Sequence, residues 1–275
     1  MKGVITMAKI KILETTTKEM MEQYQAGIGL NELSKRYGYA PQTIKKRLTR
    51  RGISIRTSDE QASIENKKMR FSNRKYDLKH DYFESWSNNM AYILGLLFTD
   101  GNLHKNRMKI VLKAEDGYLL EAIKSEMGYT GKVFYSSVKR FNKDTAKLDI
   151  CSLDLRNSLN RLGLNADKTF NMSFPTVPKD YELDFIRGVF DGDGFTKKGK
   201  YLRAGFCSGS KPFLDELNTR LQSYGLSERT VSKHSKAECY YIEYSSKECR
   251  LLYDLLYGRG GLHLVRKRLV FEQHL

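Results

Sequence analysis

The spacing of apolar residues predicts three short helices near the start of the chain. The first, in "TTTKEMMEQYQAG", can be capped by threonine and ends at Gly27. The second, in "LNELSKRYG", is a short helix with its apolar residues on one face. The third runs over residues 41–51, with proline in its first turn and Gly52 after it. A tight turn at residues 38–40 separates the last two helices, which is the helix-turn-helix pattern. Residues 15–56 are therefore expected to form a small all-α domain.

The third of these helices has the composition of a helix that reads DNA. Ile44 and Leu48 are four residues apart and are expected in the core, while the rest of the helix carries no acidic residue. The stretch resembles the small helix-turn-helix domains of resolvase-like and phage DNA-binding proteins, whose equivalent helix lies in the major groove. The resemblance implies that the outward-facing residues contact DNA: Gln42, Thr43, Lys45, Lys46, Arg47 and Arg50. The alternative is an ordinary three-helix bundle with a solvated basic face.

Residues 57–88 are polar and charged, and they show no periodicity beyond a short helical pattern near residues 59–70. From Lys35 to Lys79, a range that includes the third helix, fourteen lysines and arginines stand against four acidic residues. This excess favours a basic linker that follows DNA phosphates through contacts that do not depend on base sequence. A plain solvated tether would have the same composition.

The remainder of the chain contains an internal repeat. "YILGLLFTDG" and "FIRGVFDGDG" align when Gly95 is set on Gly188, which also sets Asp100 on Asp193. After each motif the same order follows: an alternating strand pattern, an amphipathic helix, two more strand-like runs and a closing helix. We therefore expect an α+β fold with two tandem αββαββα subdomains, over residues 89–175 and 181–275, arranged as a pseudo-dimer within one chain.

The two aspartates of the repeat stand at positions that are unfavourable for a carboxylate. Each lies at the end of an apolar helix, where the helix dipole is negative, and each helix contains a glycine that permits close approach of a partner helix. If the two helices pack together, Asp100 and Asp193 meet, and a divalent cation such as Mg²⁺ would relieve their repulsion. Asp191 is matched by Phe98 in the first copy, so it is expected to cap a turn, contact the partner helix or tune the site.

Composition narrows the class of partner and the compartment. The net charge of +16 and a pI near 9.5 indicate a polyanionic partner, most often nucleic acid. Four cysteines without CxxC spacing argue against zinc and against disulfides, and they are typical of a reducing cytosol. Residues 1–13 lack the apolar core of a signal peptide, and the longest apolar run, residues 91–98, is too short to span a bilayer. We expect a cytoplasmic protein, nucleoid-associated or phage-encoded, that is neither secreted nor membrane-bound.

The two motifs, "ILGLLFTDG" and "IRGVFDGDG", resemble those of the LAGLIDADG homing endonucleases, and the resemblance extends over the whole repeat. It implies a central two-helix interface, two sheets forming a pseudo-twofold saddle on DNA, and Mg²⁺-dependent cleavage of both strands across the minor groove, with Mn²⁺ as a substitute. Asp100 and Asp193, each with its following glycine (Gly101 and Gly194), would hold the metal. Lys168 and Lys267, late in each half, would border the active centres, with Arg266 a rival to Lys267.

The exposed faces of the strands are expected to contact a long double-stranded target as a monomer with internal pseudo-symmetry. The candidates are Lys105, Arg107, Lys109, Lys113, Lys139, Arg140 and Lys147 in the first half, and Lys197, Lys198, Lys200, Arg203, Arg229, Lys233 and Lys236 in the second. Two alternatives share this basic surface. One is a transcription regulator of the same fold that has lost cleavage, and the other is an RNA maturase that assists intron splicing.

Overall fold

A computed structural model describes residues 15–72, 75–138, 143–165, 172–235, 237–245 and 247–275, apart from the side chains of residues 66–72, 138 and 143. The chain divides into two compact units, Met1–Lys75 and Tyr76–Leu275. Within the described residues, no helix has both the length and the apolar character needed to cross a membrane.

The first unit is all helical. Its helices are α1 (residues 15–25), α2 (Leu30–Tyr37), α3 (Pro41–Arg50) and α4 (Ser58–Ser72). Ile44 and Leu48 are fully buried, as their spacing predicts, and they pack with Met20, Tyr24 and Leu33 in a small core. Gly38 ends α2 in the left-handed conformation, with φ of 69°, which lets the chain turn sharply into α3.

The second unit begins within the stretch that was expected to be a linker. The backbone N–H of Lys79 donates to the carbonyl oxygen of Met127 over 2.9 Å, and Phe83 is buried in the main core. The sequence pattern missed this because the anchoring contacts are made with residues about 50 positions away. The α4 helix and the anchored segment therefore divide residues 57–88 between the two units.

Two copies of one αββαββα order make up the second unit, which confirms the expected α+β fold. The first copy contains α5 (Asn88–Thr99), β1 (Gly101–His104), β2 (Arg107–Lys113), α6 (Gly117–Glu126), β3 (Phe134–Val138), β4 (Lys143–Cys151) and α7 (Leu153–Arg161). The second copy contains α8 (Glu182–Asp193), β5 (Gly194–Lys197), β6 (Arg203–Ser208), α9 (Lys211–Gln222), β7 (Ser232–Lys233), β8 (Tyr240–Ser245) and α10 (Lys247–Tyr257), and α11 (Val265–Glu272) follows it.

Each copy forms a four-stranded antiparallel sheet. The strand orders are β1-β2-β4-β3 in the first sheet and β5-β6-β8-β7 in the second. Along β2, buried Met108, Ile110 and Leu112 alternate with residues on the open face, as the sequence pattern predicts. The run "SERTVSKHS", residues 227–235, has a strand-like pattern, but only Ser232–Lys233 forms strand β7. The side chain of Asn218 bonds both the N–H and the carbonyl oxygen of Arg229, so this backbone is tied to α9 instead of extending a strand.

The helices α5 and α8 pack against each other at the centre of the unit. A Cβ atom added to Gly95 would overlap the carbonyl oxygen of Phe185, and one added to Gly188 would overlap that of Tyr92. The two backbones therefore touch where each helix carries its interior glycine, which confirms the close approach expected from the motifs. Both helices are buried on nearly all sides, so their C-terminal ends are held in one fixed arrangement.

Candidate functional site

The aspartates of the two motifs lie at neighbouring helix ends. Asp100 follows the last residue of α5, and Asp193 is the last residue of α8. A Cβ atom added to Gly192 would lie 3.3 Å from Oδ2 of Asp100, so the carboxylate of Asp100 lies against the end of α8. Asp193 is exposed and Asp100 is half-buried. The arrangement places two acidic side chains, both reachable by solvent, where two negative helix termini meet.

Lys267 caps the C-terminal end of α8 from behind. Its Nζ donates to the carbonyl oxygens of Phe190, Gly192 and Gly194 over 2.7, 2.9 and 2.6 Å. Burial lowers the pKa of Lys267 to about 8, although Asp191, Asp100 and Asp193 act in the opposite direction. At neutral pH the side chain is therefore an ammonium, and its three N–H donors are all used by carbonyls at the helix end.

The glycines that follow the two aspartates have backbone roles. Gly101 begins β1 and pairs with Ile110, and Gly194 begins β5 and offers its carbonyl oxygen to Lys267. The assignment of both glycines to a metal site stays a prediction. Lys168, the counterpart expected in the first half, lies outside the described residues.

Asp191 is a buried acceptor that connects four parts of the second unit. Its carboxylate receives hydrogen bonds from the hydroxyls of Tyr92 and Tyr257, over 2.8 and 2.7 Å, and from the N–H of Leu264 over 2.7 Å. Burial raises the pKa of Asp191 above its ordinary value, while these three donors oppose the rise. Asp191 thus ties α8 to α5, to α10 and to the segment that precedes α11, and one of the expectations for it, contact with the partner helix, is what the geometry shows.

An open cleft of about 680 Å³ lies beside the helix ends. Asp100, Gly192, Lys113 and Arg266 contribute to its lining. Arg266 reaches it from α11, and its Nε donates to the buried carboxylate of Asp116 over 2.8 Å. The sequence analysis gave Arg266 only as the alternative to Lys267 and did not predict a role for Asp116. The two residues are 150 positions apart, so no local pattern indicates their contact. The two neighbouring basic residues therefore differ in environment: Lys267 is buried against the end of α8, whereas Arg266 faces the cleft.

The open face of the first sheet brings together most of the basic residues expected there. Arg107, Lys109 and Lys113 alternate along β2, and Lys147 lies opposite on β4. Asp149 stands among them, 3.2 Å from Arg107 and 3.7 Å from Lys147. Lys105 is exposed at the turn between β1 and β2, with φ of 50°, and Lys139 and Arg140 lie outside the described residues.

The open face of the second sheet carries a similar but smaller basic group. Lys197 and Arg203 are paired across β5 and β6, and both contact Glu243, over 2.8 and 3.1 Å. Lys198 and Lys200 are exposed in the connection between these strands. In each sheet, then, one carboxylate holds two of the cations that the sequence assigned to DNA contact.

The other basic candidates of the second half lie apart from this group. Arg229 is half-buried on the helical side of the sheet, where it contacts the carboxylate of Glu248 and lies over the ring of Tyr244. Lys233 projects on the face opposite to Arg203 and lies 3.2 Å from Glu238. Lys236 lies outside the described residues.

In the first unit, the outward face of α3 carries the predicted contact residues. Exposed side chains belong to Gln42, Thr43, Lys45, Lys46 and Arg50. Arg47 is half-buried, with its guanidinium 4.0 Å from the centre of the Tyr39 ring. That contact fixes the guanidinium on the surface of the small domain.

Residues 180–258 match the model of the LAGLIDADG-like domain. A search of curated protein sequences gave no match.

Solved structures of homing endonucleases resemble the chain at low sequence identity. A structure of mesophilic variants from the homing endonuclease I-DmoI is 18% identical, covers 71% of this chain and 100% of its own, and has a TM-score of 0.46. For I-DmoI in complex with DNA and Mn the values are 19%, 62%, 97% and 0.43. For the LAGLIDADG meganuclease I-AabMI bound to uncleaved DNA they are 12%, 68%, 88% and 0.47. The domain match confirms the family resemblance for the second copy: residues 180–258 match a LAGLIDADG-like domain, and the first copy repeats the same order of helices and strands.

Proposed function

We propose that this chain is a site-specific DNA endonuclease of the homing type. It would hydrolyse phosphodiesters in both strands of a long target, across the minor groove, with Mg²⁺ as cofactor and Mn²⁺ as a substitute. The observation that carries the proposal is the placement of Asp100 and Asp193 at two helix ends that touch, each directly before a strand of a sheet with basic residues on its open face. A basic surface indicates DNA binding, and the paired acids at its centre indicate chemistry on the phosphate.

The donors present fit a hard divalent cation. Asp100 and Asp193 offer carboxylate oxygens, the ligands that Mg²⁺ prefers, and both reach solvent where a DNA phosphate could complete the ligand set. When bound, Mg²⁺ supplies Lewis-acid stabilisation of negative charge at the reacting phosphodiester. Lys267 would act through the backbone. Its ammonium offsets the negative end of α8 and holds the carbonyl groups on either side of Asp193. The same border position for Lys168 stays a prediction from the resemblance.

The remaining parts would bind the target. The open sheet faces supply cations for phosphates and polar groups for base edges. Residues 15–56 would act as a helix-turn-helix domain that residues 57–88 connect along the chain to the subdomains at 89–175 and 181–275. Binding by this domain would raise the affinity through effective concentration. The protein would act as a monomer in a cytoplasm, on nucleoid or phage DNA.

The test is incubation of the protein with a plasmid that carries its native genomic locus, in Mg²⁺ and in EDTA. The proposal predicts a double-strand break at one position in Mg²⁺ and none in EDTA. Binding of that plasmid without cleavage in Mg²⁺ or Mn²⁺ would contradict it and favour a transcription regulator. A strong preference for a structured intron transcript over duplex DNA would instead indicate an RNA maturase.

A further inference from the structure

Helix α11, which follows the second copy, contributes a side chain to a cleft that belongs mainly to the first copy. Lys113 and Thr145 of the first sheet line this cleft together with Asp100 and Arg266. The side chain of Arg266 is 39% exposed, so it is neither buried like its neighbour Lys267 nor fully solvated. The first copy's half of the candidate site is therefore completed by a residue from the end of the chain.

Asp116 holds the guanidinium of Arg266 at one point only. The carboxylate is 2% exposed and accepts from Nε, which leaves the two Nη groups of the guanidinium without a hydrogen-bond partner in the part of the chain that the structure describes. A guanidinium carries five N–H donors, and its Nη edge matches the oxygens of a phosphate. Anchoring through Nε orients that edge at little further cost in side-chain entropy when a ligand binds.

The backbone before Arg266 is fixed by one residue from each copy. The N–H of Val265 donates to the hydroxyl of Tyr118 over 2.7 Å, and the N–H of Leu264 donates to Asp191 over 2.7 Å. Tyr118 belongs to α6 of the first copy, and Asp191 belongs to α8 of the second. Arg266 is thus held by its side chain and by its backbone, which is the arrangement expected of a group that must be placed accurately.

The charges along the cleft leave Arg266 as the cation best able to take a phosphate there. Lys113 lies 3.3 Å from Glu115, and Asp144 and Asp100 add negative charge to the lining. These acids would repel a DNA phosphate unless a cation with unused donors stood beside them. We propose that Arg266 binds a DNA phosphate in the first copy's half of the site and that Asp116 is its positioning residue. This proposal rests on the endonuclease function proposed above.

The experiment compares charge-neutral variants that keep the fold. Arg266→Gln combined with Asp116→Asn removes the cation without leaving a buried unpaired carboxylate. Arg268→Gln combined with Glu272→Gln is the matched control, because Arg268 lies on the same helix but pairs with Glu272 on the surface. The duplex is one that the wild-type protein selects from a randomised library.

Two readouts are expected to change in the Arg266 variant and not in the control. In EDTA, the slope of log Kd against log salt should fall by about 0.9, the value for one lost phosphate contact. In Mg²⁺, nicking of one strand should slow about tenfold or more relative to the other, so that nicked DNA accumulates. The variant should keep its melting temperature within a few degrees, which separates these effects from unfolding.

An unchanged salt slope together with an unchanged ratio of strand-cleavage rates would overturn the role of Arg266. Equal slowing on both strands would also overturn it, because Arg266 would then support the fold as a whole. Failure of the wild-type protein to cut would instead overturn the proposed endonuclease function, and the salt slope in EDTA would still decide whether Arg266 contacts a phosphate.

Discussion

The two copies of the repeat share the interior glycine and the final aspartate of their motifs but differ at positions between these two residues. Gly95 matches Gly188, and Asp100 matches Asp193, but Phe98 of α5 stands where α8 has Asp191. Phe98 is buried among aromatic rings, with its centroid 5.4 Å from that of Phe185. Asp191 is equally buried but receives three hydrogen bonds.

The comparison shows which positions the helix interface constrains in both copies and which position can differ between them. The glycines must be the same because each helix backbone fills the space at the other's glycine. The intervening position faces different neighbours in the two copies: an aromatic cluster at Phe98, and the segment leading to α11 at Asp191. The repeat therefore keeps the glycines at the backbone contact, whereas the intervening position, which also contacts the partner helix in both copies, takes a different residue in each.

The largest effect is expected where the copies agree. Gly95→Ala and Gly188→Ala should each cost more than the roughly 1–3 kcal/mol that is typical of overpacking, because the new methyl group would overlap a backbone carbonyl that cannot turn aside. Chemical denaturation measures the free energy of unfolding. Gly199→Ala is the control, since a Cβ there meets nothing nearer than 3.8 Å. A stable alanine variant at either helix position would break the interface account.

The next largest effect is expected where the copies differ. Asp191→Leu should lower the free energy of unfolding by about 3 kcal/mol, because two tyrosine hydroxyls and the N–H of Leu264 would lose their acceptor in a buried site. Phe98→Leu, which changes shape but no polar contact, should cost about 1 kcal/mol. Equal losses at the two positions, measured by urea denaturation, would contradict the separate roles assigned to them.

In the second copy, buried Lys267 is expected to make the free energy of unfolding depend on pH. Its pKa is about 8 in the folded protein against an ordinary value of 10.5, so unfolding takes up a proton between these values and the folded state gains stability as the pH rises. The unfolding free energy of the wild type relative to Lys267→Met should therefore increase by about 1 kcal/mol per pH unit from pH 8 to pH 10. Denaturation at three pH values tests this, with replacement of exposed Lys198 as the reference variant. A difference that is flat or falls with pH would exclude a buried Lys267.

The smallest effects are expected on the open faces of the sheets. Asp149→Asn and Glu243→Gln each remove a carboxylate that holds two cations at the surface, and each should change stability by less than about 1 kcal/mol. Both should tighten DNA binding at low salt, because a negative charge leaves a basic face. Titration of each variant with the target duplex provides the measurement. Weaker binding by either variant would mean that the carboxylate itself contacts DNA.

Local patterns and the internal repeat predicted much of the fold and the two motif aspartates of the candidate site. Alternation along β2 and the four-residue spacing of Ile44 and Leu48 identified the buried faces, because each depends on the geometry of one element. The two motif aspartates were found by comparing the copies with each other. Such features are repeated or local, so the sequence alone reveals them.

The missed features depend on long-range contacts with no local mark. The pattern does not distinguish Lys267 from a solvated lysine, because its acceptors are carbonyls at a helix end more than 70 residues away. The pairing of Arg266 with Asp116 joins the end of one copy to the middle of the other. In the same way, the side chain of Asn218 competes for the backbone that the pattern assigned to a longer β7.

Cleavage by variants of the two motif acids tests the central claim most directly. The plasmid carrying the native locus would be incubated in Mg²⁺ with wild type, Asp100→Asn and Asp193→Asn, and supercoiled, nicked and linear forms would be resolved over time. Both variants should bind the target with affinity close to that of wild type and should yield no linear product. Linear product from either variant at the wild-type rate would contradict the assignment of Asp100 and Asp193 to one shared metal site.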